Sequence, residues 1–229
     1  MAGAKRRIAV VGRLGISPMA RLSLPGRRIL AYLALRGEAV ARAVASEQLW
    51  PNAVDEIGRA NLRRALWQLP RGWVSTAGND LVLEAESDIA EAHRAAARAL
   101  HGDPLTLEEI ELLSNDVLPG WHEDWVLPVQ EAFRLLRVQA LEMACRTMTA
   151  GGNFPLATRA GAAALSAEPL RESAAEALIS AHLGQRNRHE AAQCFRSLEQ
   201  RLRVELGVAP DPSLTKRLVS IGLARRNPP

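Results

Sequence analysis

The first 83 residues set short apolar runs between turn formers, and the spacing of the runs changes along the way. Ile8–Val11 is a β-branched run broken by Gly12 and Gly15, and Arg21-Leu22-Ser23-Leu24 alternates. Two or three short strands are predicted there. Pro25 stands where a first helical turn tolerates a missing N–H, and Ile29, Leu30, Leu33 and Ala34 then recur at helical spacing until Gly37. A second helix is predicted over 44–49, stopping before Pro51, with a loop over 51–57. The third helix opens with Asp55 as its cap and runs to Leu69, where Pro70 ends it. Trp73–Thr76 and Leu81–Leu83, either side of Ala77-Gly78-Asn79-Asp80, read as a hairpin.

From Asp88 the pattern is helical throughout. Helices are predicted over 89–100, 107–113, 125–150, 155–167, 169–183, 188–206 and 213–223. The later ones carry a period of 34. Asn153 and Ala157 map onto Asn187 and Ala191, while Leu136, Arg137 and Ala140 map onto Leu170, Arg171 and Ala174. That is the period of tetratricopeptide repeats, with the alanines as small residues at helix crossings. An irregular helical bundle would share the composition without the register. The expected fold is therefore mainly α. Residues 1–86 form a winged helix-turn-helix of short strands plus three helices, and residues 87–229 an all-α tetratricopeptide-like domain.

Charge divides at the same place. Met1–Leu83 holds 13 Lys/Arg against 5 Asp/Glu, a balance of +8, and the remainder holds 16 against 20, a balance of −4. Lysine occurs only at Lys5 and Lys216, so the positive charge is almost all guanidinium, a planar fork suited to phosphate and to guanine edges. A basic first third joined to an acidic remainder suits a polyanion-binding module attached to a domain with another task.

The third helix concentrates that chemistry. On a helical wheel Leu62, Leu66 and Leu69 form the apolar stripe. Ala60, Arg63, Arg64, Trp67 and Arg71 fall opposite, with Arg59 and Asn61 on the flanks. Such a face fits the major groove, where Arg bridges guanine O6 and N7, Asn pairs with adenine, and Trp67 rests on sugar or a thymine methyl. Around it, Ser75, Thr76 and Asn79 at the hairpin tip and Arg42 and Ser46 near the second helix are candidate phosphate contacts.

Enzyme chemistry finds little support. His93, His101, His122, His182 and His189 form no metal-binding pair, and His122-Glu123-Asp124 point in different directions. Cys145 and Cys194 sit on apolar helix faces as expected inert thiols, and no cofactor or nucleophile motif is present. No apolar run approaches the ~20 residues of a bilayer span, and the N-terminus lacks a signal-peptide core. The expectation is a cytoplasmic protein, not an enzyme, with no cofactor, metal or membrane partner.

Leu49-Trp50-Pro51 and Arg59-Ala60-Asn61-Leu62-Arg63-Arg64-Ala65-Leu66-Trp67-Gln68-Leu69 resemble the DNA-binding domain of SARP-type regulators (the Streptomyces antibiotic regulatory protein family). Asp116-Val117-Leu118-Pro119-Gly120-Trp121-His122-Glu123-Asp124-Trp125-Val126 and Glu205-Leu206-Gly207-Val208-Ala209-Pro210-Asp211-Pro212-Ser213 are similar to that family's bacterial transcriptional activation domain. The resemblance implies an OmpR-type winged helix in a short-form activator. Such a protein binds direct repeats in promoters, as a homodimer on double-stranded DNA, and recruits RNA polymerase. It also implies that the loop over 51–56 faces the sigma factor, with Asp55 and Glu56 toward a basic surface. Two other readings stay open. Pro70 and the short wing favour an adaptor whose winged helix no longer reads DNA, and a repressor would use the same DNA contacts.

Overall fold

The computed structural model describes residues 5–223. In chain order its elements are β1 (Arg7–Ala9), β2 (Gly15–Ser17), α1 (Leu24–Arg36), β3 (Val40–Ala41), α2 (Arg42–Leu49), α3 (Asp55–Trp67), β4 (Val74–Ala77), β5 (Asp80–Leu83) and β6 (Glu86–Ser87). There follow α4 (Asp88–Leu100), α5 (Leu107–Leu113), α6 (Leu127–Ala150), α7 (Phe154–Ala167), α8 (Glu172–Gly184), α9 (Arg188–Glu205) and α10 (Pro212–Ser220). By contacts the chain forms two compact units. The first runs to His93 and takes in Asn115–Phe133, and the second comprises Arg94–Ser114 and the chain from Arg134 onward. The expected boundary at 86/87 divides the chain by sequence module, and contacts divide it elsewhere.

Within the first unit, two small sheets frame three helices. One has the order β2-β1-β6, antiparallel then parallel, with Ile8 almost wholly buried at its centre. The other has the order β3-β5-β4, all antiparallel. The β4–β5 hairpin closes over Gly78-Asn79, and Gly78 takes a positive φ of 62° at the first central position, where a two-residue loop favours glycine. No strand forms over Arg21–Leu24. The Ser23 Oγ instead accepts the Gly26 N–H at 3.3 Å and caps α1, which commits this stretch to a helix start. Gly37, at φ 67°, ends α1 by donating its N–H to the Leu33 carbonyl. The two-residue strands β3 and β6 are too short to leave a periodic trace in the sequence.

Residues 115–133 complete this unit. Val11 bridges Val117, the Gly12 N–H donates to the Asp116 carbonyl at 2.7 Å, and the Leu118 N–H donates to the Val10 carbonyl at 2.9 Å. The Asp88 carboxylate accepts the Val10 N–H at 2.8 Å. Trp125 meets Tyr32 edge-on at 5.3 Å and Trp121 at 6.1 Å, so the paired tryptophans serve packing. The Gln130 side-chain amide donates to the carbonyls of Val117, Leu118 and Trp121 and fixes the turn between them.

The second unit is helical in its described residues. The helices α7 and α9 begin 34 residues apart, at Phe154 and Arg188, each behind an asparagine cap. Ala140, Ala157, Ala174 and Ala191, which the period paired, are all fully buried. A Cβ on Gly161 would stand 2.9 Å from the Cys145 Sγ and 3.0 Å from the Leu178 Cβ, so small residues set how closely these helices cross. Phe195, Leu198, Leu202, Leu214, Leu218 and Ile179 make the larger side-chain cluster at the C-terminal end. Predicted and observed helix ends agree within about three residues, the widest gaps being at the end of α10 and the start of α8. The helix α8 starts at Glu172 because Pro169 and Leu170 form a turn instead.

One charged cluster is built into the helix pairs. The Glu142 carboxylate accepts from Arg171 at 2.6 Å, Ser173 at 2.9 Å and Arg146 at 3.0 Å. Burial pushes its pKa up, but those hydrogen bonds outweigh it and hold the carboxyl below its ordinary range.

Candidate nucleic-acid interface

The helix α3 begins at Asp55, with Val54 as its cap residue. Asp55 therefore occupies the first helical position instead of capping, and no side-chain cap bond forms. Asp55 and Glu56 in the first turn still suit the positive end of the helix dipole. Gly58 faces α2 so closely that a Cβ would lie 2.8 Å from the Ser46 Oγ. Leu62 and Ala65 complete the buried side. The wheel placed Leu62, Leu66 and Leu69 there, but Leu66 and Leu69 are only half-buried. The helix stops at Trp67, so Leu69 and Arg71 lie beyond it and the 100° rule does not reach them. The cause is Pro70, which disfavours helical geometry in the residue before it.

The outward side holds what the sequence assigned to it. Arg59, Arg63, Arg64 and Trp67 are exposed, as is Arg71 after the helix, and Asn61 is half-buried on the flank. Trp67 is 88% exposed, which for an indole is a large apolar surface left to solvent. From Gly58 to Arg71 there is no acidic residue. The nearest, Asp55, lies 3.8 Å from Arg59 across one exposed turn, a pair of little energetic weight. A helix side with three exposed guanidinium forks and one indole can span phosphates and reach base edges at once.

The surrounding candidates separate into two groups. Thr76 and Asn79 are exposed at the hairpin tip, and Arg42 is half-buried at the start of α2. The Arg42 N–H donates to the Asn79 carbonyl at 3.2 Å, which ties the helix to the hairpin. Two sequence candidates are corrected. Ser46 is only 4% exposed, beneath Gly58, and lies within the α2–α3 crossing where no phosphate reaches it. The Ser75 hydroxyl donates to the Glu84 carboxylate across the hairpin and is thereby occupied.

The loop expected over 51–56 gives way to α3 at Asp55, so Asp55 and Glu56 lie exposed in the first turn of that helix. The sequence reading missed their neighbours Val54 and Ile57, which are 72% and 55% exposed. No sequence signal found them, because they stand at i and i+3, a spacing that ordinarily marks a buried side. Burial pushes the thiols of Cys145 and Cys194 up to about 11, so both are protonated and unreactive near neutrality. Glu123 pairs with Arg28 at 3.3 Å, and among the described residues no group of three or more His, Cys, Asp or Glu side chains is placed to hold a metal ion.

The described sequence family called bacterial transcriptional activator domain matches residues 76–221, well over half of the chain. The chain belongs to that family. The match begins within the β4–β5 hairpin and runs through α10, so this bacterial transcriptional activator domain protein carries the assigned module over most of its helices. Among solved structures it is similar to Mycobacterium tuberculosis EmbR in complex with a low-affinity phosphopeptide. The two are 22% identical with a TM-score of 0.64, over 98% of this chain and 66% of that one. This chain thus spans about two thirds of the EmbR chain, and the likeness establishes a shared fold, an N-terminal winged helix followed by a helical domain. No curated protein matches it. The family match places the chain among bacterial transcriptional activator domain proteins, and the fold match adds only the arrangement of a winged helix before a helical domain. No helix among the described residues is long and apolar enough to cross a membrane.

Proposed function

We propose that this chain is a sequence-specific DNA-binding activator, with residues 1–86 as the reading module and 87–229 as the activation domain. The observation that carries the reading is the outward side of α3, where Arg59, Arg63, Arg64 and Trp67 are all exposed and no acid interrupts them after the first turn. In this reading α3 enters the major groove. Arg63, Arg64 and Asn61 address base edges, and Trp67 rests on sugar or a thymine methyl. Arg59, Arg71, Arg42 and Thr76 contact phosphates. Asp55 and Glu56, in the first turn of α3, face a basic surface of the RNA polymerase sigma factor. Two copies occupy direct repeats with half-sites about one helical turn apart, or a multiple of it.

Selection from random duplexes followed by a salt titration tests the reading. One motif is expected to be enriched, with log affinity falling by about 0.9 per log unit of salt for each phosphate neutralised. Enrichment of no motif together with a flat salt response would falsify DNA reading and leave the adaptor alternative.

A further inference from the structure

A groove of about 1110 Å³ lies along α9 and α10, wholly within the second unit. Its floor is apolar: Phe195 from α9, Pro210 from the connecting loop, and Val219 and Leu223 from α10 and the turn beyond. Its rim is cationic, with Arg196 and Arg203 from α9 and Lys216 from α10, against the single carboxylate of Glu199. Arg196, Glu199 and Arg203 stand at i, i+3 and i+7, so one side of α9 supplies this whole rim. None of the three cations forms an ion pair with a described residue, and all three are exposed.

That contrasts with the cations around them. Arg217, one residue from Lys216, pairs with Glu176 at 3.4 Å, and Arg171 and Arg146 are held by Glu142. The region from Glu84 onward has 20 acids to 16 bases, so partners were available by composition. The groove keeps its positive charge within an acidic domain. Val204 in the last turn of α9, and Leu206 and Val208 after it, are also exposed, outside the groove's lining.

We propose that this groove docks an acidic amphipathic peptide segment of a partner protein, with apolar side chains on the floor and Asp or Glu carboxylates against Arg196, Arg203 and Lys216. The sign of the rim selects an anion. The apolar floor selects against a nucleic acid, whose evenly spaced phosphates gain nothing from proline, valine and phenylalanine. The proposal does not depend on DNA reading by α3. It assigns the second unit a partner of its own.

The test is selection of a displayed random-peptide library on the full chain, with the enriched peptides then titrated by fluorescence polarisation. Enriched sequences are expected to combine Leu, Phe or Trp with Asp and Glu. Arg203→Glu with Lys216→Glu is expected to weaken them roughly tenfold, since reversal places like charges face to face. Peptides whose acids are changed to lysine are expected to regain affinity for the doubly reversed chain, a rescue that a misfolded variant cannot give. Duplex binding by the double variant is expected to stay at the wild-type level. Enrichment of basic or uncharged peptides, binding indifferent to the double reversal, or a variant impaired only in DNA binding would each overturn the proposal.

Discussion

The helices α3 and α8 are both 13 residues long and put their surfaces to opposite uses. In α8, six residues are buried, from Ala174 to Ala181, and its neighbours cover it on both sides. In α3 only Gly58, Leu62 and Ala65 are buried, and the other side presents guanidinium groups and an indole. The difference lies in composition. With alanine at its crossing positions, α8 can be approached closely by α7 and α9, so each contact is short and the helix is consumed by the core. Arginine on α3 cannot be covered without a counter-charge, and its sequence supplies none after the first turn. A helix covered by neighbours on both sides contributes stability, whereas one left half open is available to a partner.

If that contrast holds, substitutions in the second unit change stability and substitutions on α3 change affinity. The largest effect is expected at Phe195, 4% exposed in the C-terminal cluster. Phe195→Ala is expected to cost about 3–5 kcal/mol in a denaturant titration followed by circular dichroism. Next comes Arg63→Ala, expected to lose roughly 1–3 kcal/mol of binding to a selected duplex, with preference relaxed at one base pair. Its unfolding midpoint is expected to stay where it was. A loss of stability matching the loss of affinity would show that the α3 surface is structural and break the contrast.

A smaller change sharpens it. Ser23→Ala removes the α1 cap and is expected to cost about 1 kcal/mol of stability, without altering which duplex is preferred. The smallest effect concerns His182, whose Nδ1 is buried without a hydrogen-bond partner. Burial lowers its pKa below the ordinary 6.5, so the unfolded chain takes up this proton at a higher pH than the folded one. The resulting stability is complete above pH 6.5 and drains away as pH falls below it. In urea titrations above and below that value His182→Gln is expected to flatten the decline, and an unchanged slope would assign the pH response to other groups.

The helices were legible because their signals are local. Pro25, Gly37 and Pro51 mark ends that the structure keeps, and the period of 34 reappears in the starts of α7 and α9. The wheel of α3 found Leu62 on one side and Arg63, Arg64 and Trp67 on the other. It overstated the burial of Leu66 and Leu69, and Ser46, read as a phosphate contact, is covered, because depth of burial depends on the element lying opposite. Asp55 was read as a cap from its side chain, yet the backbone of Val54 takes that position.

By itself the sequence determined the helical periods, the basic and acidic halves, and the row of arginines without intervening acid, since each follows from residue order and side-chain chemistry along one segment. Only the tertiary structure decided the rest. Arg7 and Ile8 of β1 pair with Glu86 and Ser87, far along the chain, and residues 115–133 join the unit built by the first 93. Trp67 stands open while Ser46 is closed over, and three cations around the groove between α9 and α10 form no ion pair with a described residue. The physical reason is that periodicity reports which residues share a side of an element. What covers that side depends on contacts between segments distant in sequence, and no local pattern encodes them.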